Sequence, residues 1–183
     1  MAADTTTSRA PDARFLLARP AHFIALGFGA GLAPRAPGTF GTLAAWALYG
    51  VLALALPPLA IALLAIPLFF VGTWACEATG RDLGDMDHGA MVWDEVVAFL
   101  PLAGFAHLAA QSRPGTDPVF ALLAWQGLAF ALFRLFDIWK PFPIRELERR
   151  LKGGFGVMFD DLVASAYAYA VLLFAIVAAH KFA

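Results

Sequence analysis

Cysteine is almost absent: Cys76 is the single one in 183 residues. That excludes an intrachain disulfide and a multi-cysteine zinc site, and in its apolar surroundings Cys76 reads as a small buried hydrophobe. Charge is scarce as well. Charged residues make up 15% of the chain against 61% hydrophobic, and the mean hydropathy is +0.71. Soluble domains are about a quarter charged and near half apolar, so lipid is the expected solvent. The rival reading, a compact soluble helical protein, would have to bury five long apolar stretches in one small domain. A net charge of −1 gives neither the footprint of a nucleic-acid binder nor a polybasic membrane-surface arm. No G-K-[ST] follows the glycines at 27–31, so they are not a nucleotide loop; in a membrane bundle small residues usually allow close helix packing. No cysteine stands ahead of an arginine at phosphatase-loop spacing. The apolar run 20–34 is broken by Gly27, Gly29 and Gly31 and lacks a clean small-x-small cleavage site, so it is not read as a signal peptide.

What is present is a series of apolar runs. No residue from 36 to 76 is charged, too long for one span of about 20 residues and right for two. Pro57-Pro58 supplies the turn between spans at about 40–56 and 58–75. Val96–Ser112, Val119–Phe133 and Leu162–Ala179 supply three more, with 113–118 a tight loop. The expected fold is an all-α, polytopic membrane helical bundle of about five spans. Residues 1–19 form a polar tail, 20–183 a single membrane-embedded domain, and 20–34 a short re-entrant or interfacial segment. Threaded in alternation, the tail, 77–95 and 134–161 share one side. Of the 13 basic residues only Arg113 and Lys181 fall on the other, so the positive-inside rule makes the first side cytoplasmic. Of the 14 acidic residues only Asp117 lies opposite. Acidic residues do not set topology, so their gathering needs another cause.

Asp94-Glu95 precede the third span and Asp160-Asp161 the fifth. Helix N-termini favour negative charge, which accounts for one carboxylate per helix better than for adjacent pairs on two. Two carboxylates 4 Å apart repel by about 4 kcal/mol at an effective dielectric near 20. If the pairs converge, a hard divalent cation with oxygen ligands offsets that, and Mg²⁺ suits carboxylate and water. Arg134, Asp137 and Lys140, at i, i+3 and i+6, form either a salt-bridge ladder or a phosphate grip in which Asp137 orients a cation or joins the metal shell; the arginine fork suits phosphate oxygens. Asp87 shares a face with Asp94 if the stretch between them is helical. His88 is either a solvated loop histidine or the general acid to a leaving alkoxide. Gly38 and Thr39, at the start of the first span, offer backbone N–H groups and a hydroxyl to a phosphate. Attack by metal-activated water is the favoured chemistry. Asp85-Met-Asp87 lacks the preceding strand of a two-aspartate nucleophile motif, although an aspartyl-phosphate intermediate stays open.

Four blocks in order, GFGAGLAPRAPGTFGT, DHGAMVWDE, FRLFDIWKPFPI and GGFGVMFDD, with apolar spans between them, resemble the phosphatidylglycerophosphatase A family over about 20–180. The resemblance implies an all-helical protein of the bacterial inner membrane that carries out Mg²⁺-dependent hydrolysis of phosphatidylglycerophosphate within phospholipid biosynthesis. It points to Asp94, Glu95, Asp137, Asp160 and Asp161, with Asp87 behind them, and places Arg134, Lys140, Gly38 and Thr39 in matching blocks. Ala98 and Ser165 stand where glycine is expected after the acidic pairs. The implied partners are a phospholipid substrate and the membrane, with no nucleic acid and no protein partner. Two other readings are a metal-dependent lipid phosphotransferase, whose aspartate-glycine-alanine-arginine pattern is missing, and a small divalent-cation transporter, which wants acidic residues across the bilayer rather than on one side.

Overall fold

The computed structural model describes residues 10–112 and 115–181, with side chains as far as Ala179. Residues 1–9 of the expected tail, and Arg113 and Pro114 of the expected 113–118 loop, lie outside the described residues. The described chain is helical: α1 Ala13–Ala18, α2 Pro20–Ala25, a 3₁₀ turn over Gly27–Leu32, α3 Pro37–Leu52, α4 Pro58–Leu83, α5 Trp93–Gln111, α6 Pro118–Trp139, α7 Ile144–Arg150 and α8 Gly153–Lys181. Prolines open α3, α4 and α6 at the first helical position, where a missing N–H costs nothing. Asp117 caps α6 by accepting from the Phe120 amide, and left-handed Gly84 ends α4.

Each expected span coincides with one helix, although the first, expected over 40–56, ends early because α3 stops at Leu52 and turns begin there; three helices, α4, α6 and α8, are long and apolar enough to cross a membrane. The helices outrun the apolar windows at their charged ends. α4 continues through Glu77 to Leu83, α6 through Arg134 and Asp137, and α8 starts nine residues before Leu162. Asp160 and Asp161 therefore sit two turns inside α8, whereas the sequence suggested its N-terminus. The helix dipole acts mainly over the first turn, so it does not explain them. α3 is 16 residues long. α5 is the central element, packed against α3, α4, α6 and α8; a helix apolar on all sides is a buried one.

Polar bonds tie this apolar interior together. Trp93 Nε1 donates to the Leu68 carbonyl at 3.2 Å, Tyr49 hydroxyl meets His107 Nδ1 at 2.8 Å, and Trp46 Nε1 donates to Gln126 Oε1 at 2.7 Å. Ser165, in place of the expected glycine, donates its hydroxyl to the Ala98 carbonyl at 2.8 Å where α8 crosses α5. The 20–34 segment forms two short helical pieces, neither long enough to span. It cradles the 84–92 loop: the Val92 amide donates to the Ala25 carbonyl at 2.8 Å, and Gly31 lies so close to the Ala90 carbonyl that a Cβ would not fit. That loop is turn-like, so Asp87 and Asp94 do not share a helical face.

α8 meets α4 through Gly154, whose amide donates to Glu77 Oε2 at 2.8 Å. A Cβ there would collide with the Thr73 carbonyl and stand 2.7 Å from the Glu77 nitrogen, both backbone atoms with little room to move. Gly154→Ala is expected to lower the thermal unfolding midpoint in detergent, at a cost of about 1–3 kcal/mol. Gly50→Ala on α3, where nothing lies within 4 Å of the added carbon, should leave the midpoint unchanged or raise it. Equal midpoints for the two variants would mean that the α4–α8 approach is not stability-limiting.

Candidate active site

The first turn of α5 and the third turn of α8 face each other. One carboxylate oxygen from each of Asp94, Asp160 and Asp161 comes within 4.8 Å of the others. Asp160 and Asp161 are buried and Asp94 is half-buried. Glu95, also buried, lies beside Asp94 and reaches Arg134, whose Nη1 is 3.6 Å from its Oε1 and 2.7 Å from Asp137 Oδ2. Asp161 has Asp137, Glu95 and Asp160 as its charged neighbours, so these carboxylates form one continuous acidic centre.

Three carboxylate oxygens in that centre, Asp94 Oδ1, Glu95 Oε2 and Asp161 Oδ2, are shielded from solvent and have no hydrogen-bond partner; neither does the donor Arg134 Nε. Buried polar atoms are nearly always paired, and an unpaired one costs about 1–3 kcal/mol or more if charged. Three orphaned acceptors on two helices fit a cation; one orphaned guanidinium donor among them fits an anion brought alongside. The donor set is all oxygen, the preference of a hard ion such as Mg²⁺.

Two cationic side chains border the centre. Lys140 ends α6 in a left-handed conformation, with φ 46. That swings its Nζ to 2.8 Å from Asp160 Oδ2 and 3.0 Å from Glu148 Oε1 on α7. Burial alone would depress its pKa, but the bonds to Asp160 and Glu148 outweigh it and hold the ammonium above the ordinary lysine value. Arg134 is set from the other side. The Thr42 hydroxyl on α3 donates to the Gly38 carbonyl at 2.9 Å and accepts from Arg134 Nη1 at 3.5 Å. Gly38 itself lies against Glu95 Oε1 and Arg134, where a Cβ would stand 3.0 Å from Nη1; the absence of a side chain lets α3 close over the acidic centre.

The structure thus brings together Asp94, Glu95, Arg134, Asp137, Lys140, Asp160, Asp161 and Gly38. It leaves the other sequence candidates further out. Asp87 is exposed and lines a cleft of about 370 Å³ whose walls include Asp160, Glu148 and Lys152, outside the Asp94–Asp160–Asp161 trio. His88 does not line that cleft; its Nδ1 accepts from the Ala90 amide at 3.1 Å. The Thr39 amide is committed to the Ala36 carbonyl at 2.9 Å and is not free for a phosphate. Thr42 and Glu148 were missed. Thr42 had a signal, standing one helical turn after Gly38, but Glu148 had none, since only the left-handed turn at Lys140 brings α7 to the site.

The family model described as phosphatidylglycerophosphatase A matches residues 23–176, which contain every residue of the centre. The chain belongs to the phosphatidylglycerophosphatase A family. It is 43% identical over 172 residues to a phosphatidylglycerophosphatase A of Haemophilus influenzae, covering 93% of this chain and 96% of the relative. It is 35% identical over 161 residues to that of Escherichia coli K12, covering 88% and 86%. No solved structure matches.

Within this family centre, Arg134 is the only guanidinium between Glu95 and Asp137 among the described residues. Arg134→Met leaves both carboxylates facing each other, and breaking a buried pair in this way costs about 3–5 kcal/mol. The unfolding midpoint in metal-free detergent should fall steeply, and Arg134→Met with Glu95→Gln should recover part of the loss. Circular dichroism melts of the two variants measure both effects; a single variant as stable as the parent would show that the pair does not join α5 to α6.

Proposed function

We propose that this chain hydrolyses the terminal phosphomonoester of phosphatidylglycerophosphate, releasing phosphatidylglycerol and phosphate, with Mg²⁺ held by Asp94, Asp160 and Asp161. Family membership supports the reaction. The observation that carries the metal assignment is the convergence of one oxygen each from Asp94, Asp160 and Asp161 within 4.8 Å, with Asp94 Oδ1 and Asp161 Oδ2 left unpaired beside them. Asp94, Asp160 and Asp161 would hold the ion, which would supply positive charge for the phosphoryl group and a more acidic water.

The chain's own residues do the rest. Arg134 keeps Nε for a phosphate oxygen while Nη1 stays on Asp137, and its fork fixes the orientation of the phosphoryl group. Glu95 and Asp137 hold that guanidinium in place. Lys140 positions Asp160 and offsets its charge. Asp87 and Asp160 line the same cleft.

The same reading sets five helices across the bacterial inner membrane: α3, α4, α5, α6 and α8. α5 is 19 residues long, about 28 Å at 1.5 Å per residue, close to the roughly 30 Å hydrocarbon thickness. It needs little lipid-facing apolar surface because its neighbours cover it. The charge asymmetry of the chain supports a cytoplasmic active site.

Phosphate release from phosphatidylglycerophosphate in mixed micelles tests the chemistry. Activity is expected with Mg²⁺, to be abolished by EDTA and restored by added Mg²⁺. Asp94→Asn and Asp161→Asn should each lower turnover by roughly a hundredfold or more, with melting behaviour retained. Full turnover in both variants would refute the metal assignment. For sidedness, a cysteine placed at Thr116 should react with a membrane-impermeant maleimide from the periplasmic face, since the native Cys76 is fully buried; reaction only from the cytoplasm overturns the five-crossing arrangement.

A further inference from the structure

An apolar groove of about 340 Å³ lies between α4, α5 and α8, with Ala62, Ile66, Phe69, Phe70, Pro101 and Leu162 on its walls. Its position relative to the carboxylates follows from three anchors. Leu162 directly follows Asp161 on α8. Pro101 stands about two turns beyond Asp94 on the same face of α5. On α4, the Leu68 carbonyl bonded to Trp93 marks the level of the first turn of α5, so Ala62 and Ile66 lie further from the acidic centre, toward Pro58. The groove therefore starts near the level of the carboxylates, none of which lines it, and runs away from them along the bundle. It opens sideways, where Ile66 is 58% and Phe70 67% exposed, on a helix apolar enough to face lipid.

We infer that this groove receives one acyl chain of the phospholipid substrate, laid between α4 and α8 so that the phosphomonoester reaches Asp94, Asp160 and Asp161. The inference rests on the phosphatase reading. A carboxylate cluster and an apolar groove that begins at the next residue of α8 match a molecule with a phosphate at one end and hydrocarbon at the other. A chain already in the bilayer gains little hydrophobic free energy on entering the groove, because lipid tails are as apolar as its walls. The contribution is orientation: the seated chain fixes the depth and direction of the head group, and small misplacements of a reacting group are costly.

Ala62→Trp fills the groove from a half-buried position well away from the carboxylates. Phosphate release is measured for dipalmitoyl and for dihexanoyl phosphatidylglycerophosphate in the same detergent. The ratio of kcat/KM, long chain over short, should fall roughly tenfold or more. An unchanged ratio, whether both values drop together or neither does, overturns the inference. A second measurement does not need turnover: the Asp94→Asn protein in phosphatidylcholine vesicles is irradiated with phosphatidylglycerophosphate carrying a diazirine at mid-chain. Crosslinks should concentrate on the peptides containing Phe69 and Leu162, and an even spread over the outer faces of α4, α6 and α8 overturns the groove. If the parent protein releases phosphate from neither lipid, the phosphatase reading fails, and the crosslink map alone decides whether the groove holds a chain.

Discussion

The structure depends on mutual repulsion that its own cations do not cancel. Asp94, Glu95, Asp137, Asp160 and Asp161 occupy one end of a helix bundle, and the cationic side chains paired with them are Arg134 and Lys140. At a few ångströms each carboxylate pair costs several kcal/mol in a partly buried site, and a burial that leaves oxygens without donors adds to it. Close packing elsewhere holds the carboxylates there: Ser165 bonded to Ala98, Gly154 against α4, and Gly38 beneath Glu95. A rigid apolar bundle thus supplies the constraint that a cation would relieve, the arrangement expected of a preorganised site.

The two flanks of the centre are built by different means. On the α8 side, Lys140 reaches Asp160 from the left-handed end of α6, and Glu148 on α7 balances it. On the α5 side, the Arg134 guanidinium is clamped by Asp137, Glu95 and the Thr42 hydroxyl. The first flank is an adjustable ammonium at the rim, and the second a planar fork held among buried partners. The second suits fixed recognition of a phosphoryl group better, because its donors point in set directions.

Much of this was legible in the sequence. The uncharged run from 36 to 76, broken at Pro57-Pro58, marked α3 and α4. The doubled carboxylates at 94–95 and 160–161 marked two elements that had to meet something positive. Other features could not be read because they arise from tertiary contact. Apolar windows report where lipid or core begins, so they placed Asp160-Asp161 at a helix start although α8 runs two turns further back. The 84–92 loop lacks periodicity because its backbone bonds go to α2 and to its own turns. Glu148 and Thr42 are ordinary residues by spacing, and both become site residues only when a left-handed turn and a close helix approach bring them in.

Where the helices outrun their apolar windows sets the depth of the chemistry. From Gly153 to Leu162 α8 extends about 13 Å beyond the apolar stretch, and α4 and α6 extend at the same end of the bundle, as the Glu77–Gly154 and Lys140–Asp160 contacts require. Asp161 is the last polar residue before that stretch begins. A carboxylate at mid-bilayer would cost roughly 2.5–3.5 kcal/mol or more, while one far out in water would force a lipid out of the membrane to reach it. In the proposed membrane arrangement the carboxylates would stand at the boundary, where neither cost arises and the phosphate of a membrane lipid would meet them.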